Sequence, residues 1–442
     1  MSFTLLGILN SQAAGASVSY WLATLGGNSP DVGKSVASDS LGNFYALGYS
    51  ESSGAGANDF LLTKFDLLGA IQWQRSLGGT SDDDGNSVQI DSSDNIYAFG
   101  RTRSSGAGSN DFLLAKYNTS GTLQWQRTLG GSGYDFGTSV SVDSSGNIYV
   151  LGLSDSSGAG SYDFLLAKYN SSGTIQWQRT LGGASQEFGR SLSVDSSGNV
   201  YVAGVTTSAG LGQEEFLLAK YNASGTIQWQ RIFGGTADDQ NQALFADSSG
   251  NTFLLGSSNS VGAGGQDLIL AKYNTSGTLQ WQQMLGGVNT DIGRGVALDS
   301  ADNIFVSGQT NSSGAGGNDF LLAKYNSSGV IQWQRTLGSN QAEISYGLAL
   351  NLEDAIYATG LTERSGKGTQ ILLAKVPSDG SKTGTYSLDG LDMVYAASSL
   401  TAGTSTLTSS TSSLTSATST LTSSTSSLTS ATSTLTAHIV EL

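Results

Sequence analysis

Residues 125–176 read WQRTLGGSGYDFGTSVSVDSSGNIYVLGLSDSSGAGSYDFLLAKYNSSGTIQ, and this stretch decides the fold. Its first residue is one of seven tryptophans in the chain, and consecutive tryptophans lie 52 residues apart. A repeat of this length is typical of solenoids and propellers. The chain is therefore built from copies of one supersecondary unit. The tryptophans are Trp21, Trp73, Trp125, Trp177, Trp229, Trp281 and Trp333.

Each unit contains four short runs of Val, Ile, Leu, Tyr and Phe, bounded by Gly, Ser, Asn and Asp. Such runs predict four β-strands joined by turns. In the quoted unit we predict strand A at Thr138–Asp143, strand B at Asn147–Leu153, strand C at Asp163–Tyr169 and strand D at Thr174–Leu181. Four antiparallel strands in a unit of about 50 residues are typical of a propeller blade.

The copies of the strands give the number of blades. Strands C and D each occur seven times, but the first strand D, which contains Trp21, precedes every other element. The last unit has no tryptophan in its own strand D. We therefore predict an all-β, seven-bladed β-propeller over residues 18–376 with four-stranded blades. Its N-terminal strand should close the last blade and hide that sheet edge.

The motifs D-S-S-G-N-I-Y-V-x-G and D-F-L-L-A-K-Y-N-x-S-G resemble the seven-bladed beta-propeller repeat (SBBP) family. The resemblance covers about residues 18–376 and implies the propeller fold. It implies little about activity, because propellers host many unrelated functions.

The composition excludes several classes of function. The net charge of -15 opposes binding to nucleic acid or to an anionic membrane. The chain has no Cys and one His, His438, so thiol catalysis, Cys-ligated metals and Ser/His/Asp relays are excluded. No apolar run is long enough to span a bilayer. We predict no catalytic residues, no nucleic-acid partner and no membrane partner.

An acidic residue follows each tryptophan after ten positions. The D–A and B–C loops share one face, so these residues predict a seven-carboxylate ring at the mouth of the central channel. The ring would bind calcium, a basic partner or a sugar. Alternatively, each residue caps the backbone of a turn, which we favour because duplication copies a structural residue into every blade. On this face Tyr134 and Phe188 are candidates for stacking against a sugar. The ring residues are Asp31, Asp83, Asp135, Glu187, Asp239, Asp291 and Glu343.

Two other repeated motifs predict structural roles. Asp143 and its copies, in D-S-x-x-N, predict an Asx-type turn rather than a calcium loop. The W-Q-R strand predicts packing between blades and an ion pair such as that of Arg127 with Asp111.

The tail has Leu at every seventh position, which is typical of a coiled coil. Ser and Thr between the leucines are poor helix formers, so a lone helix would not be stable. We favour an oligomeric stalk over residues 398–442, with three chains meeting through these leucines. A β-structured fibre and a disordered, O-glycosylated linker are the alternatives. Residues 377–397 are predicted as a linker and residues 1–17 as a docking segment. The leucines are Leu400, Leu407, Leu414, Leu421, Leu428, Leu435 and Leu442.

A repeat platform without catalytic groups and with a repetitive tail predicts a non-enzymatic structural or adhesive protein. This organisation resembles phage tail-fibre and virion appendage proteins. It implies a virion fibre or decoration protein that presents its loop face to host-surface polysaccharide or to other virion proteins. The alternative is an extracellular adhesion propeller on a bacterial cell surface. A propeller glycosidase or lyase with paired carboxylates is disfavoured, because we find no break in the sevenfold symmetry.

Overall fold

The computed structural model describes residues 19–351, 355–411, 415–418, 422–424, 429–431 and 436–441. The predicted docking segment, residues 1–17, lies outside the described residues. The chain forms seven antiparallel sheets arranged as a ring, and each sheet has four strands from the repeat. This confirms the all-β, seven-bladed propeller with four-stranded blades.

The strands follow the repeat, and we name the four strands of each blade A to D from the inside of the ring outward. An N-terminal strand, β1 (Trp21–Gly26), precedes blade 1. Blades 1 to 3 consist of β2 (Asp31–Ser38), β3 (Phe44–Ser50), β4 (Asp59–Phe65) and β5 (Ile71–Gly78); β6 (Asp83–Ile90), β7 (Ile96–Thr102), β8 (Asp111–Tyr117) and β9 (Leu123–Gly130); β10 (Asp135–Val142), β11 (Ile148–Ser154), β12 (Asp163–Tyr169) and β13 (Ile175–Gly182).

Blades 4 to 6 repeat this order, and blade 7 has three strands of its own. They consist of β14 (Glu187–Val194), β15 (Val200–Thr206), β16 (Glu215–Tyr221) and β17 (Ile227–Gly234); β18 (Asp239–Ala246), β19 (Thr252–Ser258), β20 (Asp267–Tyr273) and β21 (Leu279–Gly286); β22 (Asp291–Leu298), β23 (Ile304–Thr310), β24 (Asp319–Tyr325) and β25 (Ile331–Gly338); and β26 (Glu343–Leu350), β27 (Ala355–Arg364) and β28 (Gly368–Pro377).

The ring closes as predicted. Strand β1 pairs with β28, with Trp21 opposite Lys375 and Leu25 opposite Ile371. Trp21 is 1% exposed, and its ring centre lies 5.2 Å from that of Phe44 in blade 1. The first strand of the chain therefore completes the last blade and packs against the first, so that burial of apolar surface links the two ends of the ring.

The hydrophobic core lies between neighbouring blades. One cluster joins Tyr45 and Leu47 of blade 1 to Val88 and Ile96 of blade 2, and comparable clusters fill the other interfaces. Strands B and C are apolar on both faces because each blade is covered on both sides. This explains why they read as continuous apolar runs rather than as alternating patterns.

The W-Q-R motif, present in five of the seven Trp strands, joins its blade to the next, as predicted, but not through the predicted ion pair. Arg127 Nε donates to the Gly173 carbonyl oxygen at 2.9 Å, in the C–D turn of the following blade. The Trp125 ring covers the same turn: a Cβ at Gly173, where φ is +76°, would lie 3.1 Å from it. Asp111 instead accepts hydrogen bonds from its own B–C loop. The Asx-type turn at Asp143 is confirmed by its bonds from the Ser145 and Asn147 N–H groups at 2.9 Å.

The described residues of the tail are strands that surround the propeller. The first pairs with the second, and each of the other seven pairs antiparallel with the outer strand of one blade, in the order blade 6, 5, 4, 3, 2, 1 and 7. We call β30 to β36 the belt. The tail strands are β29 (Gly384–Leu388), β30 (Leu391–Ala397), β31 (Thr401–Thr404), β32 (Thr408–Thr411), β33 (Thr415–Thr418), β34 (Thr422–Ser424), β35 (Thr429–Ala431) and β36 (Thr436–Glu441).

The seven-residue period matches the step from one blade to the next. Thr401 lies opposite Gly286, Thr408 opposite Gly234, and Thr415 opposite Gly182, so that seven tail residues correspond to one repeat. Seven extended residues reach about 23 Å, whereas seven helical residues rise about 10 Å. The period thus reflects a chain that moves one blade per unit.

The predicted helical stalk was wrong for the described residues, which form strands within the same chain. Leu400 and Leu407 are 6% and 5% exposed, because they are buried in the clusters of neighbouring blades. Their carbonyl oxygens accept hydrogen bonds from Gln334 and Gln282 of the W-Q strands. The predicted linker, residues 377–397, contains the hairpin β29–β30. Five predicted contact leucines lie outside the described residues: Leu414, Leu421, Leu428, Leu435 and Leu442.

Candidate ligand-binding face and channel

The seven acidic residues of the predicted ring are buried at the start of the inner strands, with 0% exposure. Asp135 accepts hydrogen bonds from the Gly131 N–H and from the Ser156 hydroxyl, both at 2.8 Å. Every blade has the equivalent bond from the N–H four residues earlier. These residues therefore cap the D–A turns, which is the alternative that the sequence favoured, and none of the seven carboxylates is exposed at the channel mouth. The buried caps are Asp31, Asp83, Asp135, Glu187, Asp239, Asp291 and Glu343.

A second buried carboxyl group lies beside the cap at six of the seven interfaces. At Gly78, a Cβ would lie 1.5 Å from Asp59 Oδ1 and 3.0 Å from Asp83 Oδ2, so only glycine fits between the two side chains. Blade 7 has the amide Gln370 in place of this acid, beside Asp31. The pairs are Asp59 with Asp83, Asp111 with Asp135, Asp163 with Glu187, Glu215 with Asp239, Asp267 with Asp291 and Asp319 with Glu343.

These pairs favour a proton over a second negative charge. Burial, with a smaller contribution from the neighbouring carboxylate, raises the pKa of Asp267 and of Asp319 to about 6. The same causes raise the pKa of Asp59, which also accepts hydrogen bonds from the Ala55 and Gly56 N–H groups. Within the described ranges, no three His, Cys, Asp or Glu side chains are grouped so that they could hold a metal ion.

An aromatic patch lies on the face that carries the D–A and B–C loops. We define it as Tyr134, Phe136, Tyr162 and Phe188, from blades 3 and 4 and the loop before blade 3. The rings of Tyr134 and Phe136 are nearly parallel, with centres 6.1 Å apart, while Tyr162 lies 6.1 Å from Tyr134 and 5.8 Å from Phe188. All four side chains are half-buried. The structure therefore brings the two predicted stacking residues into one surface.

Sequence reasoning missed Phe136 and Tyr162. Phe136 occupies the same repeat position as Phe188, and Tyr162 precedes strand C where blade 2 has Asn110. Comparing equivalent positions of the units would have shown both aromatic residues as departures from the repeat. The two positions are visibly variable in the sequence. Only the structure shows that the loops of adjacent blades bring them together.

Polar groups lie beside the patch. The Arg101 guanidinium lies 5.1 Å from the centre of the Phe136 ring and pairs with Asp84. Its Nη1 donates to Asn110 Oδ1 at 3.3 Å and to the Tyr134 hydroxyl at 3.4 Å. The patch thus combines apolar ring faces with a few oriented hydrogen-bonding groups.

Each inner strand carries a β-bulge at the same repeat position, but the residue in the bulge varies around the ring. In blade 1 the register of β2 against β3 shifts between Gly33 and Ser35, and the other six blades shift at the equivalent place. The extra residue differs between neighbouring blades, although the surrounding repeat is copied. Bulges often redirect side chains at functional sites. The bulge residues are Lys34, Asn86, Thr138, Arg190, Gln242, Arg294 and Tyr346.

The bulge residues reach from one inner strand to another. Asn86 Nδ2 donates to the Gly137 carbonyl oxygen at 2.8 Å, and Thr138 Oγ1 donates to that of Gly189 at 2.9 Å. They therefore line the centre of the ring beside the patch.

As to membranes, none of the described segments is a helix that is long and apolar enough to cross a bilayer.

Comparisons with known proteins support the propeller fold. Residues 124–158, 176–212 and 280–314 match the family described as Beta-propeller repeat, and residues 144–175 match a beta-propeller domain of unknown function. These matches fall on the units from which the ring is built.

Two curated relatives are much longer than this chain. The regulatory protein FlaEY of Caulobacter vibrioides is 30% identical over 38% of this chain and 22% of its own length. An uncharacterised WD repeat-containing protein of Acanthamoeba polyphaga mimivirus is 21% identical over 63% of this chain and 28% of its own length. The chain thus spans less than a third of either relative.

One similar solved structure is an α-L-arabinofuranosidase of Fusarium graminearum, determined with an iminosugar inhibitor. It covers 80% of this chain and 97% of its own, with 8% sequence identity and a TM-score of 0.43.

Proposed function

We propose that this chain is a non-enzymatic binding propeller whose aromatic patch holds carbohydrate. One observation carries the proposal: four half-buried aromatic side chains meet on the loop face, whereas the repeated tyrosines such as Tyr149 and Tyr169 are buried between blades. Duplication explains the buried tyrosines but not the patch. An apolar surface confined to two blades is the kind of departure that binding requires.

The chemistry of the patch suits a sugar. Aromatic faces cover the apolar face of a pyranose ring, while nearby donors and acceptors fix its hydroxyl groups. Here Arg101, the Tyr134 hydroxyl and Asn110 already form a connected polar group beside Phe136. A ligand that stacks on Tyr134 or Phe136 would meet these groups at its edge.

Binding is favoured over hydrolysis by the state of the nearby acids. Glycoside hydrolysis uses two carboxyl groups that flank the scissile bond. Asp135 and Glu187 are buried caps, and Asp84 is paired with Arg101. Asp155 is exposed and accepts a hydrogen bond from the Tyr134 N–H group. Within the described part of the face, the acids closest to the patch are thus engaged in structural contacts, which supports a binding role.

The assembly to which the propeller belongs, a virion or a bacterial cell surface, stays a prediction. The virion fibre or decoration protein was predicted partly from a trimeric stalk, and the belt removes that support for the described residues. The bacterial cell-surface protein likewise stays an alternative. Both are compatible with a propeller that binds a surface polysaccharide.

A glycan array followed by calorimetry on the best ligand tests the proposal. Tyr134→Ala and Phe188→Ala should each weaken binding about tenfold, or about 1.4 kcal/mol, because each removes one stacking surface. Thr290→Ala and Ile292→Ala are the matched controls, since they occupy the same two repeat positions in blade 6. If the blade 6 variants weaken binding equally, or the patch variants bind normally, the patch is not the site.

A further inference from the structure

Three cations converge in the channel from the bulges of blades 1, 4 and 6. Lys34 Nζ lies 3.9 Å from the centre of the Tyr346 ring, and Arg294 Cζ lies 5.1 Å from the same centre. Tyr346 belongs to blade 7, between the blades that carry these two residues. Arg190 is close enough for its charge to act on Arg294.

These cations are unusual in a chain of net charge -15. Most of its 20 lysines and arginines are copies of the strand C lysine or the W-Q-R arginine. The three bulge cations occupy one repeat position, at which the other four blades have Asn86, Thr138, Gln242 and Tyr346. Among the described residues, the ion pairs are made by other side chains.

Arg294 is incompletely satisfied. Its Nη2 donates to Gln309 Oε1 at 3.3 Å, but its Nε is buried without a hydrogen-bond partner. A buried guanidinium nitrogen without a partner costs free energy, which a bound acceptor would recover. Guanidinium groups suit carboxylate and sulfate oxygens, to which they donate two hydrogen bonds in parallel.

We propose that Lys34, Arg190 and Arg294 bind an oxyanion, namely the carboxylate or sulfate substituent of an acidic glycan that stacks on the aromatic patch. This inference rests on the proposed carbohydrate binding. The two surfaces are continuous, because the Arg190 guanidinium lies 5.9 Å from the centre of the Phe188 ring. A sugar on Phe188 would therefore direct an acidic substituent into the channel.

The acids that face the cluster cancel only part of its charge. Asp84 acts on Lys34 but is paired with Arg101. Glu214, which also accepts a hydrogen bond from Gln240, offsets part of the charge of Arg190. Burial, and then the charge of Arg294, lower the pKa of Lys34 to about 8. Burial and the charge of Arg190 also lower the pKa of Arg294. Burial is the main cause of both shifts, and the charge of the neighbouring guanidinium adds to it.

Calorimetric titration of the full chain with an acidic and a neutral oligosaccharide of the same backbone tests the proposal. Arg294→Gln and Lys34→Gln should each weaken binding of the acidic oligosaccharide about tenfold and leave the neutral one unchanged. Lys382→Gln, which removes an exposed cation outside the channel, is the control. Circular dichroism checks that each variant is folded.

Free sodium sulfate and sodium glucuronate, titrated against sodium chloride of equal ionic strength, separate two sources of the anion. One outcome is that the free ions bind saturably, that Arg294→Gln abolishes this binding, and that the acidic oligosaccharide is not preferred over the neutral one. That outcome would overturn the glycan assignment and leave a site for small ions. Equal binding of all probes by wild type and Arg294→Gln would overturn the site itself. Loss of neutral-oligosaccharide binding in Tyr134→Ala tests the patch separately, so failure of one proposal is distinguishable from failure of the other.

A pH series adds a readout that a structural role would not give. Wild-type affinity for the acidic oligosaccharide should fall as the pH rises from 7 to 9.5, because Lys34 loses its proton near pH 8. Lys34→Arg should bind at pH 7 and keep its affinity at pH 9.5, since arginine stays protonated. A wild-type affinity that is constant over this range would contradict a role for the Lys34 charge.

Discussion

Replacing Asp267 by Asn should stabilise the propeller at alkaline pH and not at acidic pH. Asp267 is 0% exposed and lies beside the buried Asp291, so two carboxylates share one apolar interface. The chain already contains the neutral version of this arrangement, because blade 7 places the Gln370 amide beside Asp31. Asparagine keeps the oxygen that accepts the Ala263 N–H bond, and its amide N–H can donate to Asp291.

The magnitude follows from the pKa of Asp267, which burial and Asp291 raise from 3.8 to about 6. A rise of this size corresponds to about 3 kcal/mol between the two protonation states. Because the pKa is higher in the folded state, the contribution of Asp267 to stability is fully present below pH 3.8. It is lost as the pH rises through about 6. The variant should therefore gain up to about 3 kcal/mol at pH 8 and almost nothing at pH 4.

Urea unfolding at pH 4 and at pH 8, followed by tryptophan fluorescence and by circular dichroism, measures the effect. Asp302→Asn is the matched control, because it removes the same charge from an exposed turn and should change stability by less than about 0.5 kcal/mol at either pH. The reverse change, Gln370→Asp, creates a seventh acid pair and should destabilise the chain at pH 8 more than at pH 4. Equal losses for Asp267→Asn at both pH values would refute the reasoning, since they would show that the carboxylate acts through its hydrogen bonds.

Three further predictions concern the belt and the blade interfaces. Leu407→Ala should expose the amides of Thr408–Thr411 to hydrogen exchange while the strand C amides stay protected, because it leaves a cavity under the belt; uniform exchange would contradict a separable belt. Arg127→Gln should cost about 1–3 kcal/mol in urea unfolding, because its bonds to the next blade are charge-assisted, whereas the exposed Gln124→Ala should cost little. Light scattering should give a monomer for the full chain, because Leu400 is buried within it; a trimer that dissociates on truncation after Ala397 would restore the stalk.

The fold was predictable because each copy of the repeat carries the same pattern of strands and turns. The spacing of the tryptophans, the glycine turns and the displaced first strand D can all be read directly from the sequence, and together they determine the number of blades and the closure through Trp21. Burial of the acidic residues was harder to predict from the sequence. A carboxylate ten residues after a tryptophan is the same pattern whether it faces water or the N–H of Gly131, and only the path of the D–A turn decides between the two.

The belt and the channel could not be predicted for a different reason. A leucine every seventh residue suits a coiled coil as well as a strand that moves one blade at a time, and the partner of the tail lies far away in sequence. Lys34, Tyr346 and Arg294 are likewise separated by whole blades in the sequence. These bulge residues form one surface only when the ring closes. Comparing equivalent positions across the units would have revealed the bulge residues as variable, although not their convergence.

The pairing of the tail with the ring makes two distant parts of the sequence depend on each other. If one 52-residue unit were duplicated or deleted without a matching seven-residue tail unit, each tail unit beyond that point would pair with a different blade. One outer strand would then be left uncovered, or one tail segment would have no blade to pair with. The number of seven-residue tail units that pair with the ring and the number of blades must therefore change together.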